Sequence, residues 1–451
     1  MTNEIQLKRD LGLWSAIAIV IGTVIGSGIF LVPKTMIQNV GSPGMVFVVW
    51  MVGGIMSLSG ALSYAELSAA MPGAGGEYVY LREAYGPIWS FLYGWTQLLV
   101  AKSGSIATLA TGFFLYLQNF HPELKRTVAQ FGPSGVIITI RWSQIFAMVL
   151  ILVLGGLNYF GVKVGGRVQV LVTVCKVGLI FAIIAIGLGS GHGNIANFRS
   201  AIPVSAGSVT GFFAALVAAL WAYDGWNNVS MVASEIRNPQ RNLPLALIGG
   251  TAGVMAIYLL ANAAYFYVLP AVEVASADRV AADMMHKILG VAGANAVSIA
   301  AMISIFAALN GSILSGSRVP YAMARDGLFF KALAKVHPEY RTPGISILAL
   351  CAWSAVLVAL TGSYDELFTY VIFASWILYG MTTAAVLVLR VKRPEMSRPY
   401  RTFGYPLIPI VFVMSALGLV ISTLFNSPRE SLLGLSLVIA GLPFYYFKKR
   451  A

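Results

Sequence analysis

Charge is what this chain has least of. Asp, Glu, Lys and Arg make up 10% of its 451 residues, whereas 58% are hydrophobic and the mean hydropathy is +0.79. Soluble domains carry about 25% charged residues, so that class is excluded and a polytopic membrane chain is the class that fits. Cysteine is equally scarce. Cys175 and Cys351 both fall in apolar runs, which argues against a loop disulfide and requires no oxidising compartment. The four histidines, His121, His192, His286 and His337, sit in or near loops without metal-ligand spacing, so a metalloenzyme is not expected. An HExxH motif, a filter-like loop and paired intramembrane carboxylates are missing as well, against an intramembrane enzyme or a channel. With no low-complexity tail or long linker, one integral domain over 1–451 is expected, with no cofactor and no metal.

What is there is apolar length. Turn and charge clusters divide the chain into about twelve expected spans. The first, 12–38, is too long for a signal-peptide core and has no cleavage-site pattern, so it is expected to remain in the bilayer. The net charge of +13 does not point to nucleic acid, because the basic residues are dispersed among loops. Placing both termini in the cytoplasm puts twenty Lys and Arg on that side against eight opposite. That asymmetry favours a multi-pass protein of the inner (plasma) membrane with both ends inside. The stretch 71–85 reads as amphipathic and is expected along the cytoplasmic face. The stretch 272–289 is expected to form short external helices.

Two spans are interrupted. In the first, Gly22, Gly26 and Gly28 fall at mid-bilayer around Val24, Ile25 and Ser27, where glycine costs a helix about 1 kcal/mol each relative to alanine. Lipid cannot satisfy opened backbone, so such a break is tolerated where it lines a cavity or a ligand. Gly22 and Gly26 also have the spacing of small-residue helix packing, the simpler explanation for one span alone. In the sixth span, Trp221-Ala222-Tyr223-Asp224-Gly225 places an acid and a glycine at the same depth, a few kcal/mol uphill for the charge. Breaks in spans one and six, five apart, are the signature of two inverted five-helix repeats with a site between them. The repeats are expected over 12–188 and 209–390, with 405–447 supplying two additional helices. A half-helix amino terminus at Ser27-Gly28-Ile29 offers N–H donors to an anionic group. Carbonyls near Val24 and from Trp221 to Tyr223 suit a cation. A small zwitterion fits both, the simplest being an α-amino acid.

Several motifs carry a family resemblance: GTVIGSGIF at 22–30, GGEYVYLREAYG at 75–86, ALWAYDGWNN at 219–228, EIRNPQRNLPLAL at 235–247 and the run from Asn310 to Gly327. Over nearly its whole length the chain resembles the amino acid-polyamine-organocation superfamily. Within it the chain is most similar to L-type amino acid transporters and the related bacterial serine/threonine exchangers. The resemblance implies an all-α, LeuT-type fold and sodium-independent exchange of L-amino acids. It places the substrate carboxylate at Ser27 and Gly28, the ammonium near Val24, Trp221 and Asp224, and an external gate at Trp221. Tyr223, Asn227, Phe373 and Trp376 are side-chain pocket candidates. Animal members pair with a glycoprotein through an external-loop cysteine; residues 119–141 contain none, so no disulfide-linked heavy subunit is expected.

Lys102 and Lys176 fall deep inside spans. Lys176 lies about 11 residues from either end, roughly 16 Å of helix rise, beyond the reach of a lysine stem. In sodium-coupled relatives of the fold a cation sits between spans one, five and eight. The resemblance puts the Lys176 ammonium there, bridging the first break to the eighth span near Ser312 or Ser315. Lys102 is expected either to pair with Asp224 or to favour a substrate with a second acid. Glu66 and Glu235 are expected in solvated roles at span ends. A proton-coupled symporter using Lys176 and a cationic amino acid or polyamine carrier using Asp224 remain alternatives.

Overall fold

The computed structural model describes residues 7–131, 138–204, 208–361, 364–426 and 428–450. The first apolar segment is two helices, α1 (Leu13–Val24) and α2 (Gly28–Val40), bent by 40° across Ile25-Gly26-Ser27. Next comes α3 (Pro43–Ala70), started by Pro43 and by the Ser42 hydroxyl accepting from the Met45 N–H. The short α4 (Glu77–Tyr85) leads into α5 (Pro87–Thr96), a π turn over Gln97–Ala101 and α6 (Lys102–Leu117). An antiparallel hairpin, β1 (Thr127–Phe131) and β2 (Ile138–Arg141), precedes α7 (Trp142–Tyr159) and α8 (Val162–Gly189).

The second half opens with α9 (Ser208–Tyr223), which stops at the expected acid and glycine, and resumes as the single turn α10 (Asn228–Met231). Then follow α11 (Pro239–Val268), α12 (Ala271–Ser276), α13 (Val280–Gly316) and α14 (Arg318–Arg325). The chain ends with α15 (Gly344–Thr361), α16 (Tyr364–Lys392), α17 (Leu407–Asn426), α18 (Pro428–Ile439) and α19 (Gly441–Arg450). Among the described residues eight helices are long and apolar enough to cross a membrane, or nine if α1 and α2 form one span. The segments expected as spans six, nine and twelve contain shorter apolar helices, so length and composition do not establish twelve.

The helices differ widely in enclosure. The apolar window of the α13–α14 run is 83% buried and that of α5–α6 78%, against 28% for α17 and 33% for both α7 and α8. A helix apolar all round belongs in the interior or against lipid, and packing decides which. Helix α1 packs against α8, α11 and α13, while α9 packs against α2 and α3. Both interrupted segments therefore lie within the helix assembly.

The 272–289 stretch does form α12 and the start of α13, with a left-handed break at Gly290 (φ 65°). Helix α4 buries Glu77, Tyr78, Tyr80, Leu81 and Ala84 while Arg82 and Glu83 stay partly exposed, so it is amphipathic. One other expectation needs correction. Glu66 and Glu235 are likewise buried: Arg390 and Arg398 pair with Glu66, and Arg318 pairs with Glu235 at 2.7 Å with neither side chain exposed. Buried carboxylates near span ends need partners rather than water, and distant arginines supply them.

Candidate functional site

The two interruptions meet. A small cavity is lined by Thr23, Val24, Gly26, Ser27 and Gly28 from the first break and by Trp221, Asp224, Gly225 and Asn228 from the sixth. Ser105 and Leu109 of α6 and Ser312 of α13 complete it. Glycine is required on steric grounds at two positions. A Cβ on Gly28 would lie 2.6 Å from the Ala222 backbone, so α2 starts directly against α9. Gly225 has φ +101° and would press a Cβ against Thr23 at 3.2 Å. The Thr23 hydroxyl, shared between the Ile19 and Gly225 carbonyls at 2.7 and 2.9 Å, ties one break to the other.

The carbonyls freed at the end of α1 are already met by side chains. Lys176 Nζ, fully buried on α8, donates to the Gly22 carbonyl at 2.7 Å and also to the Ile25 carbonyl. Ser304 of α13 donates to the Ile25 carbonyl at 3.0 Å. Tyr258 of α11 sets its hydroxyl between the Ala222 and Val24 carbonyls, at 2.7 and 3.0 Å. The Trp221 carbonyl accepts from the Asp224 N–H at 3.1 Å. The Val24, Trp221 and Ala222 carbonyls are thus not the wholly unpaired groups expected, although each oxygen has a second lone pair. The eighth-span contact also differs in residue. Ser304, about two to three turns earlier in α13, meets the same carbonyl as Lys176, whereas Ser315 bonds back to Gly311 at 2.8 Å and Ser312 faces the cavity.

The sixth break is held by side chains. Asp224 accepts from the Tyr379 hydroxyl at 2.8 Å. Lys102, just after the π turn, donates to Asn228 Oδ1 at 2.6 Å, so the direct pairing with Asp224 is replaced by a neutral amide. Asn227 turns away from the cavity and donates to the buried Glu77. Tyr223 donates to the Trp50 carbonyl at 3.2 Å. Ile25 and Ala222 contribute their carbonyls to these contacts and do not line the cavity. Phe373 is buried near Gly434, and Trp376 stacks on Phe412 at 5.3 Å, both outside the cavity.

Sequence reasoning missed Tyr258, Ser304, Asn228 and Glu77. Asn228 adjoined the recognised break. Tyr258 and Ser304 sit mid-helix among apolar residues, where one hydroxyl gives little signal. Glu77 lay within a quoted motif but was not singled out there.

Two discontinuous helices enclosing a polar cavity inside a helix assembly define a membrane transporter of the broken-helix type. The comparisons agree. The amino acid permease family model matches residues 11–440. The chain is 36% identical to the serine/threonine exchanger SteT of Bacillus subtilis, covering 100% of this chain and 99% of that protein. It is 33% identical to the b(0,+)-type amino acid transporter 1 of Mus musculus, over 98% of this chain and 88% of that one. It is also 33% identical to the human cystine/glutamate transporter, over 98% and 86%. The chain belongs to the amino acid permease family: it is a multi-pass membrane protein that transports amino acids and is not an enzyme.

Proposed function

We propose that this transporter exchanges neutral L-amino acids across the plasma membrane by alternating access and without sodium. The observation that carries the reading is the Lys176 ammonium at the end of α1. A fixed positive charge already meets the carbonyls that a diffusible cation would seek there. The N–H groups at the start of α2, at Ser27 and Gly28, receive the substrate carboxylate. The remaining lone pairs of the Val24 and Trp221 carbonyls and the Asp224 carboxylate receive the ammonium. Trp221, on the cavity wall, closes the outer side, and Thr23 transmits the position of one break to the other. The two inverted repeats over 12–188 and 209–390 move around this centre, and both termini lie in the cytoplasm. The carrier works without a disulfide-linked heavy subunit.

Counterflow in proteoliposomes, with and without sodium and with and without internal substrate, tests the reading. Uptake should need internal amino acid and be indifferent to sodium. Uptake into empty vesicles driven by a pH gradient would replace exchange with proton symport. A second reading rests on Lys102, whose ammonium is one amide away from the cavity through Asn228. Release of that bond would let it face a substrate bearing a second acid. If aspartate and glutamate fail to compete with a neutral substrate, that reading fails.

A further inference from the structure

Glu77 is the buried acid that the transport site leaves unused. It opens α4 and has no exposed surface, and among the described residues no lysine or arginine forms an ion pair with it. Its neighbours come from five directions. Asn227 Nδ2 donates to Oε1, and Ser230 Oγ lies 3.4 Å from Oε2. Tyr93 of α5 stands beside the carboxyl, and Lys102 of α6 is close enough to act on it electrostatically. Tyr64 of α3, Tyr80 of α4 and Tyr379 of α16 feel its charge. Asp224 shares the field of Lys102 from the far side.

This acid sits where a short helix grips the sixth break. The Gly75 N–H donates to the Met231 carbonyl at 2.9 Å, and Gly76, at φ +53°, would place a Cβ 2.7 Å from the Ser230 hydroxyl. On its other side α4 is fastened to the loop after α14, where the Tyr78 hydroxyl and Arg82 both meet Asp326. It is fastened to the chain just past α16 as well, where Arg393 pairs with Glu83 at 2.7 Å. Helix α4 therefore joins the second half of the sixth segment to the ends of two other spans on the face that carries these basic residues.

One detail bears on the protonation state. Asn227 Nδ2 is engaged by Glu77, yet Asn227 Oδ1 is buried with no hydrogen-bond partner. An orphaned amide oxygen at such depth is costly. A neutral carboxylic acid removes that cost: its carbonyl oxygen accepts from Nδ2 while its O–H donates to Oδ1, closing a two-bond acid–amide pair. We propose that Glu77 carries a proton when α4 is docked and that losing this proton to the adjoining face frees α10 to move, so Glu77 is a proton-sensitive latch on alternating access. The proton leaves to and returns from the same face, so no net proton transport accompanies the cycle. Burial pushes the Glu77 carboxyl above its ordinary value, against the opposing hydrogen bonds of its own backbone, Asn227 and Tyr93 and the charge of Lys102. A state with the raised pKa binds the proton more tightly. It is therefore favoured below that pKa and loses its advantage as pH rises through it.

The inference rests on the alternating-access reading, and the test separates the two. Counterflow is measured in oriented proteoliposomes with the pH of the latch face varied over roughly pH 5 to 8. The wild-type rate should rise severalfold as that pH increases. Glu77→Gln, whose amide reproduces the two-bond pair at every pH, should be slow and flat, while Glu77→Asp should retain a slope. A pH response surviving in Glu77→Gln, a flat wild type, or a response only to the opposite face would overturn the latch while leaving exchange intact. Loss of counterflow from the wild type would instead overturn the exchange reading. If Glu77→Gln does not fold, hydrogen exchange of wild-type residues 75–85, corrected for intrinsic rates, serves: opening should increase with pH, and unchanged protection overturns the latch.

Discussion

The two interruptions do the same geometric job with different chemistry. At the first, exposed main-chain oxygens are met by donors from other helices: Lys176, Ser304 and Tyr258. At the sixth, the support is a set of side-chain contacts, Asp224 with Tyr379, Asn228 with Lys102 and Asn227 with Glu77. We take the first break, where Lys176 and two hydroxyls hold main-chain oxygens, as the anchor, and the sixth, with two carboxylates among its contacts, as the element whose restraints change.

Removing the anchor should have the largest effect. Lys176→Ala deletes two charge-assisted hydrogen bonds, each about 1.5–3 kcal/mol, and should reduce exchange by roughly a hundredfold or more. Counterflow normalised to the protein inserted in the membrane measures this, and undiminished uptake would remove the distinction between the breaks. Gly225→Ala should come next. Its left-handed backbone and the nearby Thr23 impose a strain of about 1–3 kcal/mol on any side chain, which should lower both thermal stability and turnover.

Tyr258→Phe asks whether the anchor also communicates with the sixth segment, since one hydroxyl stands between the Val24 and Ala222 carbonyls. Its loss should cost about 1–3 kcal/mol and slow exchange by about tenfold. A wild-type rate in that variant would mean that the breaks move independently. The smallest effect is expected from Tyr379→Phe, which removes one donor from Asp224. The hydrogen bond is worth roughly 1.5–3 kcal/mol at most, and a repositioned carboxylate recovers part of that, so substrate KM should rise severalfold with little change in maximal rate. A larger fall in rate than in Lys176→Ala would reverse the ranking of the two breaks.

Much of the site was legible because its main signals are local. Glycine clustered in an apolar run, and an acid followed by glycine in another, are costly at bilayer depth wherever the helices pack. Lys176 was legible for the same reason, since its distance from both span ends excludes water as its partner. The partners themselves were not local. Ser304 rather than Ser312 or Ser315 meets the first break because the turn of α13 opposite Ile25 depends on how that helix crosses α1. Lys102 meets Asn228 rather than Asp224 for a similar reason, because α6 faces the start of α10.

Composition and spacing alone determined that the chain enters a membrane, that two segments are interrupted, and that a buried ammonium requires internal oxygen ligands. These follow from the cost of unpaired polar groups in hydrocarbon, a property of each segment by itself. Only the tertiary structure decided which oxygens those are, that Glu66 and Glu235 are sealed by arginines, and that α4 packs inward with Glu77 against the sixth break. Such choices depend on the relative rotation and depth of packed helices, which apolar segments leave open until they are assembled.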